Sequence, residues 1–299
     1  MSNKNTSFHK TAKPIHCGDR IIDFSQPKVM GILNLAPDSF FDGGKYNLEN
    51  QQIRQVEKML SEGADIIDVG AVSTRPGANE ISSEEELDRL LKPLKRLVKL
   101  FPEVIFSVDT YRSEVARQCV ESGAHIINDI SGGNFDDNMF ETAAKLGVPY
   151  ILMHIHGRPE NMQANPLAEN AVKYVADFFR EKVRELNKAG VHDIILDPGF
   201  GFGKSLECNY SLLQHLEEMR IDDLPLLAGI SRKSMINKVL GIKPSEALNG
   251  TTVLHTLALL NGANILRVHD VKEAMEAVKL VEFYKTNQEP GNKSQEARC

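Results

Sequence analysis

The sequence predicts a single α/β domain folded as a (β/α)8 TIM barrel, and three observations carry that expectation. From Val29 onward, short apolar runs of β character alternate with amphipathic stretches of helical period. Eight such pairs fit into about 260 residues, the usual extent of the fold. Polar residues collect at the C-terminal ends of the runs: Asn34, Asp68, Asp109, Asn128, His154, Asp197, Lys233 just past the seventh, and Arg267 with His269. A barrel brings all these ends to one face, where the βα loops build a site. A doubly wound open sheet is the competing arrangement for the same alternation.

In order along the chain, the polar segments 1–14 and 287–299 read as flexible tails, leaving 15–286 as the domain. Residues 15–24 form a hairpin pattern with its turn at Gly18-Asp19, expected to cap the barrel end opposite the site. Strands are expected at 29–34, 65–70, 104–109, 125–130, 149–154, 193–197, 226–229 and 264–268. Helical patterns lie near 49–62, 83–100, 112–122, 136–146, 168–189, 208–219, 232–240 and 271–286, with an extra one at 246–262.

Composition narrows the function classes. A hydrophobic content of 41% supplies a large core, and a net charge of −6 gives no basic field for nucleic acid or an anionic membrane. No apolar run is long enough to span a bilayer. The first residues lack the apolar core of a secretory signal. The four cysteines are scattered without a C-x-x-C pair, which suits a reducing compartment and argues against a thiolate zinc site. A soluble cytoplasmic protein is expected.

The stretch from Leu196 to Lys204, LDPGFGFGK, joins a buried strand to a glycine-rich turn. It is not a P-loop, because Pro198 stands where that motif needs glycine. Its G-x-G-x-G spacing is not the dinucleotide fingerprint either. Asp197 and the aromatic Phe202 are its informative residues. Asp109 and Asn128, on neighbouring strand ends, complete with Asp197 a set suited to a heterocycle. A carboxylate accepts two parallel bonds from an amino group beside a ring N–H, and Asn supplies both donor and acceptor. Asp68 and Asp129 serve either the ligand or the loops.

Asn34 is an amide able to ligate Mg²⁺ or face a phosphate oxygen. Asp38 and Asp42 in the loop after it serve either the site or solvent. Arg75, in the loop from Ser73 to Ala78, offers a planar fork to a carboxylate or phosphate. In the SRKS stretch from Ser231 to Ser234, Arg232 and Lys233 place two cations near a helix start. Arg267 and His269 point the same way on the last strand and could grip one phosphate. His154-x-His156 is a metal-hydrolase pattern, but it lies on the fifth strand without the further ligands such sites carry. A pocket with carboxylates on one wall and cations on another suits a polar heterocycle bearing a phosphorylated arm.

MGILNLAPDSFFDGG, STRPGA, SVDT, INDISGG, LMH, LDPGFGFGK, SRKS and RVHD, in that order over roughly residues 28–286, resemble the dihydropteroate synthase family. The resemblance implies a TIM barrel that joins 6-hydroxymethyl-7,8-dihydropterin pyrophosphate to p-aminobenzoate, releasing pyrophosphate. By matching position, Asp109, Asn128, Asp197 and Lys233 would hold the pterin, with Met153 and Phe202 packing on its ring. Asn34, Arg267 and His269 would hold the pyrophosphate and its Mg²⁺. Thr74, Arg75, Pro76 and Ser234 would line the p-aminobenzoate subsite with Phe202 and Lys233. Asp109, Lys233, Arg267 and His269 would act in the chemistry, an S_N1-like loss of pyrophosphate followed by arylamine attack. The resemblance also implies a homodimer and a sulfonamide target. Ala36, Ala71, Val72, His156 and Arg158 depart from the family pattern and bear on loop closure and sulfonamide response. A pterin-binding corrinoid methyltransferase and a noncatalytic pterin-binding paralogue are the alternatives.

Overall fold

The computed structural model describes residues 12–35, 45–72 and 81–287. Thr74, Arg75, Pro76, Ala36, Asp38 and Asp42 lie outside those residues.

Two short antiparallel strands come first, β1 (Ile15–Cys17) and β2 (Arg20–Ile22), joined at Gly18 with φ +66°. The chain then alternates through β3 (Lys28–Asn34), α1 (Lys45–Ser61), β4 (Ile66–Gly70), α2 (Ser83–Leu100), β5 (Ile105–Asp109), α3 (Ser113–Glu121) and β6 (Ile126–Asp129). It continues through α4 (Met139–Leu146), β7 (Tyr150–Met153), α5 (Ala171–Ala189), β8 (Ile194–Asp197), α6 (Leu206–Gln214) and β9 (Leu227–Ala228). It ends with α7 (Ser234–Leu240), α8 (Leu248–Leu260), β10 (Ile265–Val268) and α9 (Val271–Thr286). The pattern expected at 208–219 divides into α6 and a 3-10 turn, Leu216–Met219.

The eight parallel strands run β8-β7-β6-β5-β4-β3-β10-β9. A parallel bridge between Leu196 and Leu226 joins the two ends of that row, so the sheet closes on itself. The open doubly wound alternative is thereby excluded, and the fold is the (β/α)8 barrel. Helix starts follow local chemistry: Ser82 and Ser205 each accept a hydrogen bond from the backbone three residues on, capping α2 and α6.

Strand alternation sorts the core into two parts. Val29, Val69, Val108, Ile127, Leu152 and Leu196 face outward and pack under the helices. Met30, Ile66, Ile126, Ile151, Ile195, Leu227 and Ile265 face inward, with Ile105 beside them. The inward set is sealed from below by Ala12, Ile15, Cys17, Ile22 and Phe24. Each buried aliphatic side chain contributes about 1.5–3 kcal/mol by leaving water. Arg20 clamps the hairpin by donating to the carbonyls of Val104 and Pro102. The packed structure reaches back to Ala12, which is buried, and Lys13, whose N–H bonds the Asp223 carbonyl.

Candidate active site

Two residues beyond the apolar inner layer, the same strands present a different set: Asp68, Ser107, Asn128, Met153, Asp197, Gly229 and Arg267. The register lines up their outer neighbours, pairing Asn34 with Gly70, Gly70 with Asp109, and Asp109 with Asn128. Gly70 keeps this row open, because a Cβ there would stand 3.3 Å from that of Asp109.

Arg267 is the electrostatic centre. Its Nε donates to Asp68 Oδ2 at 2.7 Å, and Nη2 donates to Asp109 Oδ2 at 2.6 Å. Asp68 Oδ2 also accepts from Asn128 Nδ2 at 3.0 Å. Burial pushes the Asp109 carboxyl up to about 7, although the Arg267 charge opposes the shift. The two carboxylates beside Arg267 raise its own pKa against the cost of burial. Asp68 Oδ1 and Ser107 Oγ, in the same layer, are buried without a hydrogen-bond partner among the described residues. Such atoms are costly until a ligand or water satisfies them.

On the other wall stand Asp197, Lys233 and Phe202. Asp197 Oδ1 accepts from the Gly199 N–H at 2.8 Å, and burial raises its pKa with Lys233 opposing. A Cβ on Gly229 would lie 3.8 Å from Asp197 Oδ2, 3.9 Å from Lys233 Nζ and 4.0 Å from Arg267 Cβ. Glycine there leaves an open space that three charged groups border. Lys233 donates to the Phe200 carbonyl, lies 4.5 Å over the Phe202 ring, and is brought down to about 8 by burial. Met153 is buried with Ile130, Ile155 and Met162, and Phe202 packs against that group. The patch is apolar and the carboxylates are polar, the two chemistries that a flat ring with a polar edge presents.

The remaining expected residues sit at the rim. Asn34 is half-buried at the end of β3, His269 is exposed with its Nδ1 3.0 Å from Ser231 Oγ, and Ser234 is exposed at the start of α7. Arg232 does not join Lys233 as a second cation of the site. Its φ of +56° turns it onto Asp270, with bonds of 2.8 and 2.6 Å. Asp129 belongs to the loops: its carboxylate holds the N–H groups of Ser131 and Gly133 and the Tyr150 hydroxyl. His154 points away from the barrel interior, with ring centroids 5.0 Å from Phe178 and 5.6 Å from Tyr174. Burial holds it well below the ordinary histidine pKa. Among the described residues, no group of three or more His, Cys, Asp or Glu is placed to hold a metal. The metal-hydrolase pattern therefore has no structural counterpart there.

These features can be set beside known proteins. The family model described as pterin binding enzyme matches residues 30–269. Dihydropteroate synthase of Escherichia coli K12 is 47% identical over 263 residues, covering 87% of this chain and 93% of the relative. The chain belongs to the dihydropteroate synthase family. The crystal structure of the Yersinia pestis dihydropteroate synthase with a sulfonamide drug superposes with a TM-score of 0.86 at 43% identity, over 92% of this chain and 100% of that one. The Xanthomonas albilineans dihydropteroate synthase with 4-aminobenzoic acid gives a TM-score of 0.85 at 37% identity, over 92% and 99%. The corrinoid methyltransferase reading finds no support among these relatives.

Sequence reasoning passed over Lys204 and left Asp68 open. The strand-end position of Asp68 was a usable signal, whereas Lys204 looked like one more residue of a glycine-rich turn.

Proposed function

We infer that this protein condenses 6-hydroxymethyl-7,8-dihydropterin pyrophosphate with p-aminobenzoate, giving 7,8-dihydropteroate and pyrophosphate. The observation that carries this reading is the buried layer in which Asp68, Asp109, Asn128 and Asp197 oppose Arg267 and Lys233, beside the Met153 and Phe202 patch. It offers partners for a pterin edge, a pterin face and an anionic arm at one end of the barrel.

Asp197 and Asn128 would take the amino and ring N–H edge of the pterin, with Met153 and Phe202 against its face and Lys233 beside them. The C–O bond from the exocyclic methylene to pyrophosphate breaks first, and its electron pair leaves with the oxygen. The dihydropterin ring delocalises the resulting cation, which the Asp109 carboxylate stabilises through a buried, preorganised charge. Arg267 and His269 would receive the departing pyrophosphate. The arylamine nitrogen then forms the C–N bond and loses a proton, so no enzyme nucleophile is required. Thr74, Arg75, Pro76 and Ser234 would orient p-aminobenzoate.

Asn34 would hold Mg²⁺. A single amide oxygen at the rim suits this hard ion, which keeps several waters and takes further oxygens from a substrate phosphate rather than from an all-protein cage. When bound, Mg²⁺ would offset the negative charge that accumulates on the pyrophosphate.

A homodimer is supported by the adjacent α8 and α9, which expose Val253, Leu257, Leu260, Leu280, Phe283 and Tyr284. A sedimentation mass of one chain would overturn it. A cytoplasmic location is supported by Cys17, Cys119 and Cys208, all buried as free thiols. Among the described residues, no helix is long and apolar enough to cross a membrane.

The deciding assay measures pyrophosphate release from the dihydropterin substrate with Mg²⁺, with and without p-aminobenzoate. Release coupled to dihydropteroate formation is the expected result. Pterin binding without condensation would instead make this a noncatalytic paralogue, and no pterin binding would sink the roles given to Asp109, Asn128 and Asp197.

A further inference from the structure

A lysine ammonium taken out of water without a carboxylate against it is costly unless all its protons find acceptors. Lys204 is such a group, only 4% exposed. Its Nζ donates to three backbone carbonyls: His154 at 3.0 Å, Gly199 at 2.8 Å and Phe202 at 3.0 Å. Burial draws its pKa down to about 7, with the Asp197 charge opposing. An ammonium has three N–H donors and no acceptor, so these carbonyls use its full capacity.

The acceptors are not scattered. The His154 carbonyl directly follows Met153, the Gly199 N–H bonds Asp197, and Phe202 is itself part of the ring-stacking patch. One ammonium therefore ties together the backbone on which three of the proposed pterin contacts are mounted. The two strand ends are fastened further by His154 N–H to the Asp197 carbonyl, 3.0 Å, and the later β7–α5 loop joins the turn through Leu167 N–H to the Gly203 carbonyl, 2.9 Å, and Ser205 N–H to the Leu167 carbonyl, 3.0 Å. Their approach is close enough that a Cβ on Gly199 would collide with the His154 carbonyl oxygen, and one on Gly203 with that of His156. Gly199 and Gly203 take φ of +67° and +64°, so glycine is needed twice over. Asn209 holds the remaining side of the turn, accepting from Gly201 N–H at 2.6 Å and donating to the Lys204 and Ser205 carbonyls.

We propose that Lys204 is a positioning residue for the condensation, fastening the β8–α6 turn to the end of β7 so that Asp197, Phe202 and Met153 meet the pterin in one fixed arrangement. The inference rests on the reaction assigned above. Lys204 touches no substrate; it acts through the backbone it holds.

Lys204→Met keeps the length of the side chain and removes every donor. The measurements are the dissociation constant for 6-hydroxymethyl-7,8-dihydropterin pyrophosphate by fluorescence titration, KM for each substrate, and a thermal melt. The expected result is a folded variant that binds the pterin about tenfold more weakly, with KM for p-aminobenzoate changed less than about threefold. Wild-type pterin binding with only a lower melting temperature would make Lys204 a fold-stabilising residue and overturn the proposal, as would equal losses for both substrates. Should Lys204→Met not fold, Lys204→Gln, which keeps two N–H donors on a shorter arm, carries the same comparison. Pterin binding is read without turnover, which separates two failures. A wild-type protein that binds pterin but forms no dihydropteroate defeats the reaction reading alone. A folded Lys204→Met that binds like wild type defeats this inference alone.

Discussion

Two adjacent layers of the barrel interior, one residue pair apart along the same strands, obey opposite rules. Met30, Ile66, Ile126, Ile151, Ile195, Leu227 and Ile265 fill the lower layer with hydrocarbon and are closed off by the hairpin. One step up four of these strands, Ile66 becomes Asp68, Ile126 becomes Asn128, Ile195 becomes Asp197 and Ile265 becomes Arg267. Both layers are largely shielded from water, so burial alone does not set polarity. The lower layer gains from excluding water. The upper one, with Asp109 and Lys233 bordering it, pays a desolvation cost that raises Asp109 and Asp197 and lowers Lys233. Such strain, held in place by a stiff apolar floor, is what a site for a charged transition state requires.

The largest effect that would break this contrast is expected in the upper layer. Asp109→Asn should lower kcat by about 10²–10³-fold, with a smaller loss of pterin binding. Equal losses in kcat and binding would remove the cation-stabilising role. The pH profile sharpens the same point. Asp109 sits near 7, raised by burial and by the charges of Asp68, Glu86 and Asp129 and lowered by Arg267. Below that pH it takes a proton and loses the charge that opposes the pterin cation, so kcat should fall as pH drops through about 7. Lys233 sits near 8 and loses its charge above that value, so pterin KM should rise on the basic side. Asp109→Asn should abolish the acidic limb and leave the basic one; a limb that persists would assign it to another group. The smallest effect belongs to the floor. Ile195→Val should cost about 0.5–1.5 kcal/mol in denaturant unfolding and leave kcat per folded molecule unchanged.

Much of the architecture could be read from alternation alone, because strand and helix periods differ and each run carried its own boundary. Closure into a barrel could be anticipated from the count of eight βα pairs and the convergence of strand-end polar residues; Leu196 and Leu226 close it in the structure. The site was legible where a side chain sits at a strand end, as with Asp109, Asn128, Asp197 and Arg267. It was less so where partners are distant, since Arg267 and Asp68 are 199 residues apart. Arg232 and Lys233 look alike as neighbours in a basic turn, and only the left-handed backbone at Arg232 sends one to Asp270 and leaves the other for the site. His154 shares a strand end with Met153 but has the opposite parity, so it packs on Phe178 and Tyr174 instead of joining the site face that its position suggested. Lys204 stayed hidden because its acceptors are main-chain carbonyls, which leave no mark in a sequence.

The hairpin floor makes the barrel one-sided. With Ile15, Cys17, Ile22 and Phe24 packed across the lower end, the inner layer is closed from below. Whatever reaches Asn128, Asp197 and Arg267 therefore comes and goes at the face formed by the C-terminal ends of the strands.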